Sequence, residues 1–345
     1  MSIDRISRLQ PLTGRTGRRR FVAGATAALV AGGMLQPGTR AQDATPAPAA
    51  TEPVAAPRLD QASFDAAFSH QTAMVNDVRL HYVVGGQGDP VVLLHGWPQT
   101  WYEWRRVMPA LAERHTVIAP DMRGLGDSAK PLSGYDARTV AADIHGLVQQ
   151  LGHSRVFLAG HDIGGWVAMA YAAAHRDEVR RLAILETFPA DESILGFTIL
   201  NSQESLWHVS FHFVRDLPEA LIAGRERIYL SHFYRGGSNP VAIDEAAIDE
   251  YVRCYAAEGG LRAGFEYYRA IFTNIAQTKE DVRTKLEMPF LAIGGEFSFG
   301  PFLEQEWPKY ATDVRTEVVP QAGHWIPEEQ PALLAERLLA FFGEG

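Results

Sequence analysis

Short apolar segments alternate with longer helical patterns from residue 72 onward, and this alternation restricts the fold more than any other feature of the chain. Runs that are apolar on both faces and end in glycine or a polar residue are typical of buried parallel strands. Six runs have this form: 90–96, 116–121, 155–162, 182–187, 289–295 and 316–324. Two amphipathic stretches, 136–152 and 331–342, have the form of helices, and the first opens on the capping residue Asp136. The pattern predicts an α/β fold with a mostly parallel sheet and helices on both faces.

Two segments depart from this alternation. Residues 72–84 contain two half-alternating runs around an Asn-Asp pair, which predicts a β-hairpin. Residues 190–286 contain aromatic-rich helical patterns and no buried-strand signal. We expect this segment to be a helical cap, inserted into a core formed by residues 59–189 and 287–345. Such a cap would lie above the carboxyl ends of the strands, where ligands bind in open α/β sheets.

The N-terminal segment has the composition of an export signal. A basic patch, Arg18-Arg19-Arg20, precedes about 15 apolar and small residues and a small-residue cleavage site that ends at Ala41. The arginine pair and the phenylalanine two residues after it resemble a twin-arginine signal; an ordinary signal peptide or a single membrane anchor is the alternative. We expect residues 1–41 to be a signal peptide and the Ala/Pro-rich residues 42–58 to be a disordered linker. The mature protein would then be periplasmic or secreted.

Charge and cysteine content exclude several classes of partner. Residues 1–41 carry seven arginines and one aspartate, so their removal changes the net charge from −9 to −15. A chain this acidic is a poor binder of nucleic acid or of anionic membranes, and we expect neither as a partner. Cys254 is the only cysteine, which rules out an internal disulfide and indicates a packing role. The oligomeric state, including a homodimer, stays open.

The segment Gly160-His161-Asp162-Ile163-Gly164 fits the pattern of a nucleophile elbow, in which small residues stand two positions either side of the nucleophile. The tight strand-to-helix turn requires small flanking residues and exposes its central side chain above the sheet. The central residue is usually serine, whereas here it is an aspartate. Taken alone, the pattern fits a strand-end turn capped by Asp162 equally well.

Further residues complete a catalytic pattern around the elbow. Trp97 lies in a His-Gly-Trp-Pro segment after a buried strand, where its backbone N–H could form an oxyanion hole with that of Ile163. His324 follows the last strand, so nucleophile, acid and histidine occur in the chain order that is typical of folds with a nucleophile elbow. The orienting acid is less clear, because Ser298 stands where an aspartate would be expected. Glu186 ends a preceding strand and is preferred over Glu296, which is nearby but mis-spaced.

From Val75 to the C-terminus the chain resembles the epoxide hydrolase and haloalkane dehalogenase branch of the α/β-hydrolase superfamily. It is most similar to the secreted Cif-like epoxide hydrolases, although the proline of "HGWP" belongs to the general epoxide hydrolase pattern. The motifs that carry the resemblance are "HGWPQTWYEW", "PDMRGLGDS", "HDIG", "ESLWH", "FEYYRA" and "GHWIPEE". The resemblance implies that Asp162 is the nucleophile, His324 the base and Glu186 its partner. It also implies that His208 and Tyr268 are a cap pair that holds the epoxide oxygen.

A carboxylate nucleophile restricts the chemistry. Its attack on an sp³ carbon forms an alkyl ester, which water can later cleave at the enzyme's own carbonyl carbon, whereas serine would form a stable ether. We therefore expect hydrolysis of a small epoxide to a vicinal diol. A haloalkane or haloacid dehalogenase is the alternative, although Ile163 stands where dehalogenases of this branch often place tryptophan; Trp97 could still serve as a halide donor. A non-catalytic binding scaffold ranks third.

No cofactor or metal is expected. His208 and His212 have the spacing of a two-histidine metal site, but no acidic residue lies between them and no third ligand is marked. His212 is therefore interpreted as packing in the cap. Tyr267 and Tyr268 diverge by about 100° on a helix, so only one can face the site; either could instead fill the core.

Overall fold

The computed structural model describes residues 59–200, 206–237 and 239–344. The predicted signal peptide and the predicted linker, residues 1–58, lie outside this range. None of the helices in the described part of the chain is both long enough and apolar enough to cross a membrane.

The central sheet has eight strands in the order β1-β2-β4-β3-β5-β6-β7-β8. They are β1 (Phe68–Val75), β2 (Val78–Gly85), β3 (Asp89–Leu94), β4 (His115–Pro120), β5 (Val156–His161), β6 (Val179–Leu185), β7 (Phe290–Gly295) and β8 (Val314–Val319). From β4 to β8 every neighbouring pair is parallel, while β2 is antiparallel to both β1 and β4. The mostly parallel sheet is thus confirmed.

Fourteen α-helices occur in the described part of the chain. They are α1 (Gln61–Ala67), α2 (Met108–Ala112), α3 (Ala137–Gln150), α4 (Ile163–Ala174), α5 (Glu192–Leu200), α6 (Trp207–Phe213), α7 (Leu217–Ile222), α8 (Glu226–Arg235), α9 (Glu245–Ala256), α10 (Gly260–Arg269), α11 (Ile271–Asp281), α12 (Gly300–Glu306), α13 (Ile326–Glu329) and α14 (Pro331–Gly343). Two 3₁₀ helices, Trp101–Arg106 and Trp307–Lys309, complete the set. Apolar side chains of α3 and α4 form a core on one face of the sheet, and those of α2 and α14 form a second core on the other face.

The predicted hairpin is β1 and β2, joined through Asn76 and Asp77 with φ angles of 47° and 62°. Two central residues with positive φ make the tight turn that matches the twist of the strands. β1 begins four residues earlier than expected, because its first half is polar and largely exposed and therefore carries no apolar signal. The short helix α1 was also not predicted.

The helices α5 to α11 all lie between β6 and β7, in the segment expected to form the cap. Buried tyrosines bind this segment to the loops that follow β3 and β4. The Tyr234 hydroxyl donates to the carbonyl of Pro98 at 2.5 Å, and the Tyr255 hydroxyl donates to that of Gln99 at 3.2 Å. These bonds hold the helices above the carboxyl ends of the strands, where a ligand cavity forms in this type of sheet.

Candidate active site

Asp162 occupies the sharp turn between β5 and α4. Its φ of 51° is a left-handed conformation, which is costly for a residue with a side chain and persists only where the surroundings enforce it. The flanking glycines make the turn sterically accessible. A Cβ on Gly160 would lie 2.4 Å from the carbonyl oxygen of Gly164, and a Cβ on Gly164 would lie 2.6 Å from that of His95. The turn therefore requires glycine at both positions.

The two carboxylate oxygens of Asp162 have different neighbours. Oδ1 accepts a hydrogen bond from the backbone N–H of Trp97 at 2.9 Å, and Oδ2 lies 3.8 Å from Nε2 of His324. Ile163 is the first residue of α4, so its N–H lacks a partner within the helix. One oxygen is thus held by a backbone donor, while the other faces the imidazole.

Glu186 orients His324. Its Oε2 lies 3.1 Å from Nδ1 of His324, and its side chain is fully buried just past β6. Oε1 accepts the N–H of Gly295 at 2.6 Å, and Oε2 also accepts the hydroxyl of Ser298 at 2.5 Å. Because an ionised carboxylate only accepts hydrogen bonds, Nδ1 of His324 carries the proton. The lone pair on Nε2 then points toward Asp162.

Glu296, the other candidate acid, lies elsewhere. Its side chain is exposed, and its Oε2 accepts the backbone N–H of Gln321 at 2.9 Å. The structure thus brings Glu186, and not Glu296, to His324. Ser298, which stands where an aspartate was expected, contacts the same glutamate as the histidine does.

The cap closes the site from the opposite side. A narrow cavity of about 60 Å³ is bounded by Asp162 on the core side and by His208 and Tyr268 on the cap side. Its walls are largely apolar and include Phe188, Val209, Ile271 and Phe299. Burial, with a smaller contribution from the Asp162 charge, raises the pKa of Tyr268 well above its usual value. Its hydroxyl is therefore protonated at neutral pH and can donate a hydrogen bond into the cavity.

The neighbours of this cap pair have structural contacts instead. The Tyr267 hydroxyl donates to the carbonyl of Arg123 at 2.8 Å, so of the two adjacent tyrosines it is Tyr268 that lines the cavity. His212 is fully buried, and its Nε2 lies 2.6 Å from the Tyr229 hydroxyl. Burial lowers the pKa of His212 well below its usual value, so this side chain is neutral.

Two groups of metal-ligand side chains lie away from this cavity in the described part of the chain. His145, His175 and Glu178 form the first group, but the two imidazole rings stack at 3.6 Å with an interplanar angle of 7°. Both rings already face the Glu178 carboxylate, at 3.0 Å from Nε2 of His145 and 3.7 Å from Nδ1 of His175. In the second group (His81, Asp121 and Asp127), Oδ2 of Asp121 already binds the imidazole of His81 at 2.7 Å. Neither group includes His208 or His212.

The sequence matches a family model described as alpha/beta hydrolase fold over residues 89–331. The chain belongs to the α/β-hydrolase family. It is 40% identical, over 278 residues, to the soluble epoxide hydrolase of Corynebacterium sp. (strain C12). The alignment covers 79% of this chain and 97% of that protein. A crystal structure of wild-type Cfl2 from Burkholderia cenocepacia shares 43% identity and a TM-score of 0.74, covering 80% of this chain and 96% of the other. Fluoroacetate dehalogenase of Burkholderia sp. is 28% identical, covering 80% of this chain and 94% of that enzyme.

These similarities confirm the family resemblance expected from the motifs. They also place the α/β hydrolase among relatives named as epoxide hydrolases and, at lower identity, as a dehalogenase. The cavity with Asp162 therefore lies where this family is expected to bind its ligands.

Sequence reasoning missed several residues that shape the site of this α/β hydrolase. Ser298 binds Glu186, as described above. Glu329 accepts the N–H groups of Gly323 and Trp325, both at 2.9 Å, and so fixes the backbone of the residues on either side of His324. The sequence offered a signal for Glu329, because this acid closes the "GHWIPEE" motif. In the structure its side chain is buried. No local pattern marks Ser298 as a partner of a residue 112 positions away.

Proposed function

We propose that this protein is an epoxide hydrolase, which converts a small epoxide to a vicinal diol through an alkyl ester on Asp162. One observation carries the proposal: Asp162 faces the His324–Glu186 pair within the core and shares a cavity with His208 and Tyr268 of the cap. A nucleophile, a base with its orienting acid, and two proton donors thus surround one small space. The 40% identity to a soluble epoxide hydrolase supports the same activity.

In the first step, His208 and Tyr268 hold the epoxide oxygen while Oδ2 of Asp162 attacks a ring carbon. The carbon–oxygen bond of the ring breaks as the ester bond forms, and the opened oxygen takes a proton from one of the two cap residues. A positioned acid is needed here because alkoxide is a strong base. Oδ1 keeps its hydrogen bond from the N–H of Trp97 and becomes the carbonyl oxygen of the ester.

In the second step, Nε2 of His324 takes a proton from water, and the resulting hydroxide adds to the carbonyl carbon of the ester. The negative charge develops on Oδ1, where the N–H groups of Trp97 and Ile163 stabilise it. Each donor of this kind contributes about 3 kcal/mol in comparable sites. Glu186 stabilises the imidazolium of His324, which then returns the proton to the departing diol oxygen. The proton left on the Asp162 carboxyl finally replaces the one that the cap residue gave up in the first step, which restores the enzyme.

Dehalogenation would use the same aspartate but different donors. A halide leaves as a weak base and needs N–H donors around it rather than a proton. The indole N–H of Trp166, which lines the cavity, donates to the carbonyl of Phe188 at 2.9 Å, whereas the buried indole N–H of Trp97 has no hydrogen-bond partner among the described residues. The N–H of Trp166 is therefore occupied, and Trp97 is not among the residues that line the cavity, which favours the epoxide over the halide.

The test is turnover of a panel of small epoxides beside a panel of haloalkanes and haloacids, using the purified wild-type protein and an Asp162→Ala variant. We expect diol from at least one epoxide with the wild type and none with the variant. Glu296→Gln, which changes a nearby exposed acid, is the matched control and should retain activity. Halide release without diol formation would replace the proposal with a dehalogenase, and turnover of neither class would indicate a binding scaffold.

We also propose that the protein is exported through the twin-arginine pathway. The support is the sequence of residues 18–41 alone, in which the arginine pair precedes a short apolar stretch and a small-residue cleavage site.

A further inference from the structure

Glu103 and His161 form a buried pair directly behind the nucleophile. Glu103 lies in the 3₁₀ helix Trp101–Arg106, and His161 is the last residue of β5, immediately before Asp162. Both side chains are fully buried, and Oε2 of Glu103 lies 3.2 Å from Nδ1 of His161. The steps proposed above assign no role to either residue. Two ionisable groups buried at this position therefore need an explanation.

The hydrogen bonds of His161 identify its charge state. Its Nε2 lies 2.9 Å from the backbone carbonyl oxygen of His324, which can only accept, so Nε2 carries a proton. Oε2 of Glu103 also accepts the N–H of Gly96 at 3.2 Å, and a carboxylate oxygen can only accept. Each ring nitrogen of His161 thus faces an acceptor. Only the doubly protonated imidazolium can donate to both.

The electrostatic surroundings agree with a charged ring. Burial by itself lowers the pKa of His161, but the Glu103 carboxylate outweighs burial and raises this pKa to about 9. A fully buried imidazolium is tolerated because its counterion is in direct contact with it. His161 is therefore cationic at neutral pH.

We propose that His161 is a positioning residue that carries a permanent positive charge and acts on His324 in two ways. It holds the backbone of His324 against the elbow through the hydrogen bond to its carbonyl oxygen. It also opposes protonation of the His324 imidazole, because the centroids of the two rings lie 5.0 Å apart. The second effect keeps His324 in the neutral form that can accept a proton from water. This role rests on the proposed function, in which His324 is the base for ester hydrolysis.

The other charges near His324 have the opposite sign. The carboxylates of Asp162, from the elbow, and of Glu186, from the end of β6, both lie beside its ring nitrogens. Tyr234 and Tyr251 are the cap residues whose hydroxyls interact electrostatically with Glu103. Burial raises the pKa of each well above its usual value, so both hydroxyls are neutral. Without His161, two carboxylates would surround the base unopposed.

Glu103→Gln separates the charge of the pair from its geometry. A glutamine amide N–H can donate to Nδ1 of His161, which leaves a neutral ring with its proton on Nε2 and retains the bond to the His324 carbonyl. Asp143→Asn is the matched control, because Asp143 forms a buried ion pair with Arg123, at 2.6 Å, outside the cavity. Both variants lose one buried charge, but only the first neutralises His161.

The experiment measures histidine protonation by NMR, and the pH dependence of ester hydrolysis, in wild type, Glu103→Gln and Asp143→Asn. We expect two ring protons on His161 at neutral pH in wild type and one in Glu103→Gln. In Glu103→Gln, His324 should take up its proton at a pH about one unit higher than in wild type, and the rate of ester hydrolysis should fall on the acidic side at a correspondingly higher pH. The reason is that a positive charge near 5 Å is lost together with a more distant counterion. Asp143→Asn should change thermal stability and move neither titration.

Two results would overturn this role: a single ring proton on His161 in wild type, or a His324 titration that Glu103→Gln leaves in place. If Glu103→Gln does not fold, the double variant His161→Gln with Glu103→Gln removes the pair without leaving a lone buried charge and should give the same shift. The NMR titration needs no substrate. Expected titrations in a protein that opens no epoxide would therefore retain the role of His161 while rejecting the proposed function.

Discussion

Ser298 donates a 2.5 Å hydrogen bond to Oε2 of Glu186, the same carboxylate oxygen that lies 3.1 Å from Nδ1 of His324. The two strands that end beside this contact, β6 and β7, are neighbours in the sheet. Glu186 is thus fixed by the loop after β7, in which an aspartate was expected at the position of Ser298. The serine hydroxyl holds this carboxylate oxygen in place beside the imidazole.

The first prediction separates the two candidate acids. Glu186→Gln should slow ester hydrolysis by at least about 10²-fold, because the amide cannot stabilise the imidazolium of His324 and favours the wrong tautomer. Glu296→Gln should have little effect, and Ser298→Ala should fall between them. The measurement is the single-turnover rate of ester hydrolysis at neutral pH. Equal losses in the two glutamate variants, or a larger loss at Glu296, would contradict the assignment.

The second prediction concerns the cap pair. Tyr268→Phe removes one oxygen and retains the packing of the ring, so alkylation of Asp162 by an epoxide should slow by about 10²-fold. His208 should partly compensate, and Tyr268→Phe combined with His208→Ala should nearly abolish ring opening. The pre-steady-state rate of alkylation is the measurement, and any halide that the enzyme accepts should react at nearly the wild-type rate. Wild-type opening of epoxides by the double variant would exclude the cap acids.

The third prediction is a pH dependence of stability. The pKa of His161 is about 9 in the folded protein, above the ordinary value of 6.5. A raised pKa means that its stabilisation is complete below about pH 6.5 and is lost as the pH rises through about 9; the full shift corresponds to about 3 kcal/mol. The free energy of unfolding, measured in urea across this range, should therefore decline with pH in wild type and decline less in Glu103→Gln. Parallel curves for the two proteins would show that the pair does not carry this stabilisation.

The fourth prediction tests export. Replacing Arg18 and Arg19 with lysine should leave the uncleaved precursor in the cytoplasm, whereas the wild-type mature protein should begin near Gln42. Lysine retains the charge, so the change tests recognition of the arginine pair rather than the basic patch. Fractionation with N-terminal sequencing gives the answer, and unchanged export would exclude the twin-arginine route.

The sequence predicted most of the fold because its signals are local. Each buried parallel strand is a continuous apolar run, and the hairpin turn is marked by Asn76 and Asp77, which tolerate positive φ. Helix α3 begins after Asp136, whose carboxylate accepts the N–H of Thr139, as its capping pattern indicates. The first half of β1 had no such signal, since it is a polar edge strand.

The candidate site was predictable only in part. Asp162 lies in a local motif and His324 follows the last strand, whereas the partner of His324 depends on which loop reaches it in space. Glu186 and Glu296 each follow a strand of the sheet, and spacing alone favoured Glu186 over Glu296. The pairing of Glu103 with His161 joins residues 58 positions apart, and neither motif indicates the other. Contacts between distant segments are set by packing, which a pattern in the chain does not encode.

The most direct test of the central claim is the mass of the His324→Gln variant after reaction with a small epoxide. Without the base, the ester should form and persist, so the intact mass should increase by the mass of one substrate molecule, and peptide mapping should locate the increase at Asp162. The double variant His324→Gln with Asp162→Ala is the control and should gain no mass. An unmodified His324→Gln protein that still converts epoxide to diol, or an adduct at any other residue, would contradict nucleophilic attack by Asp162.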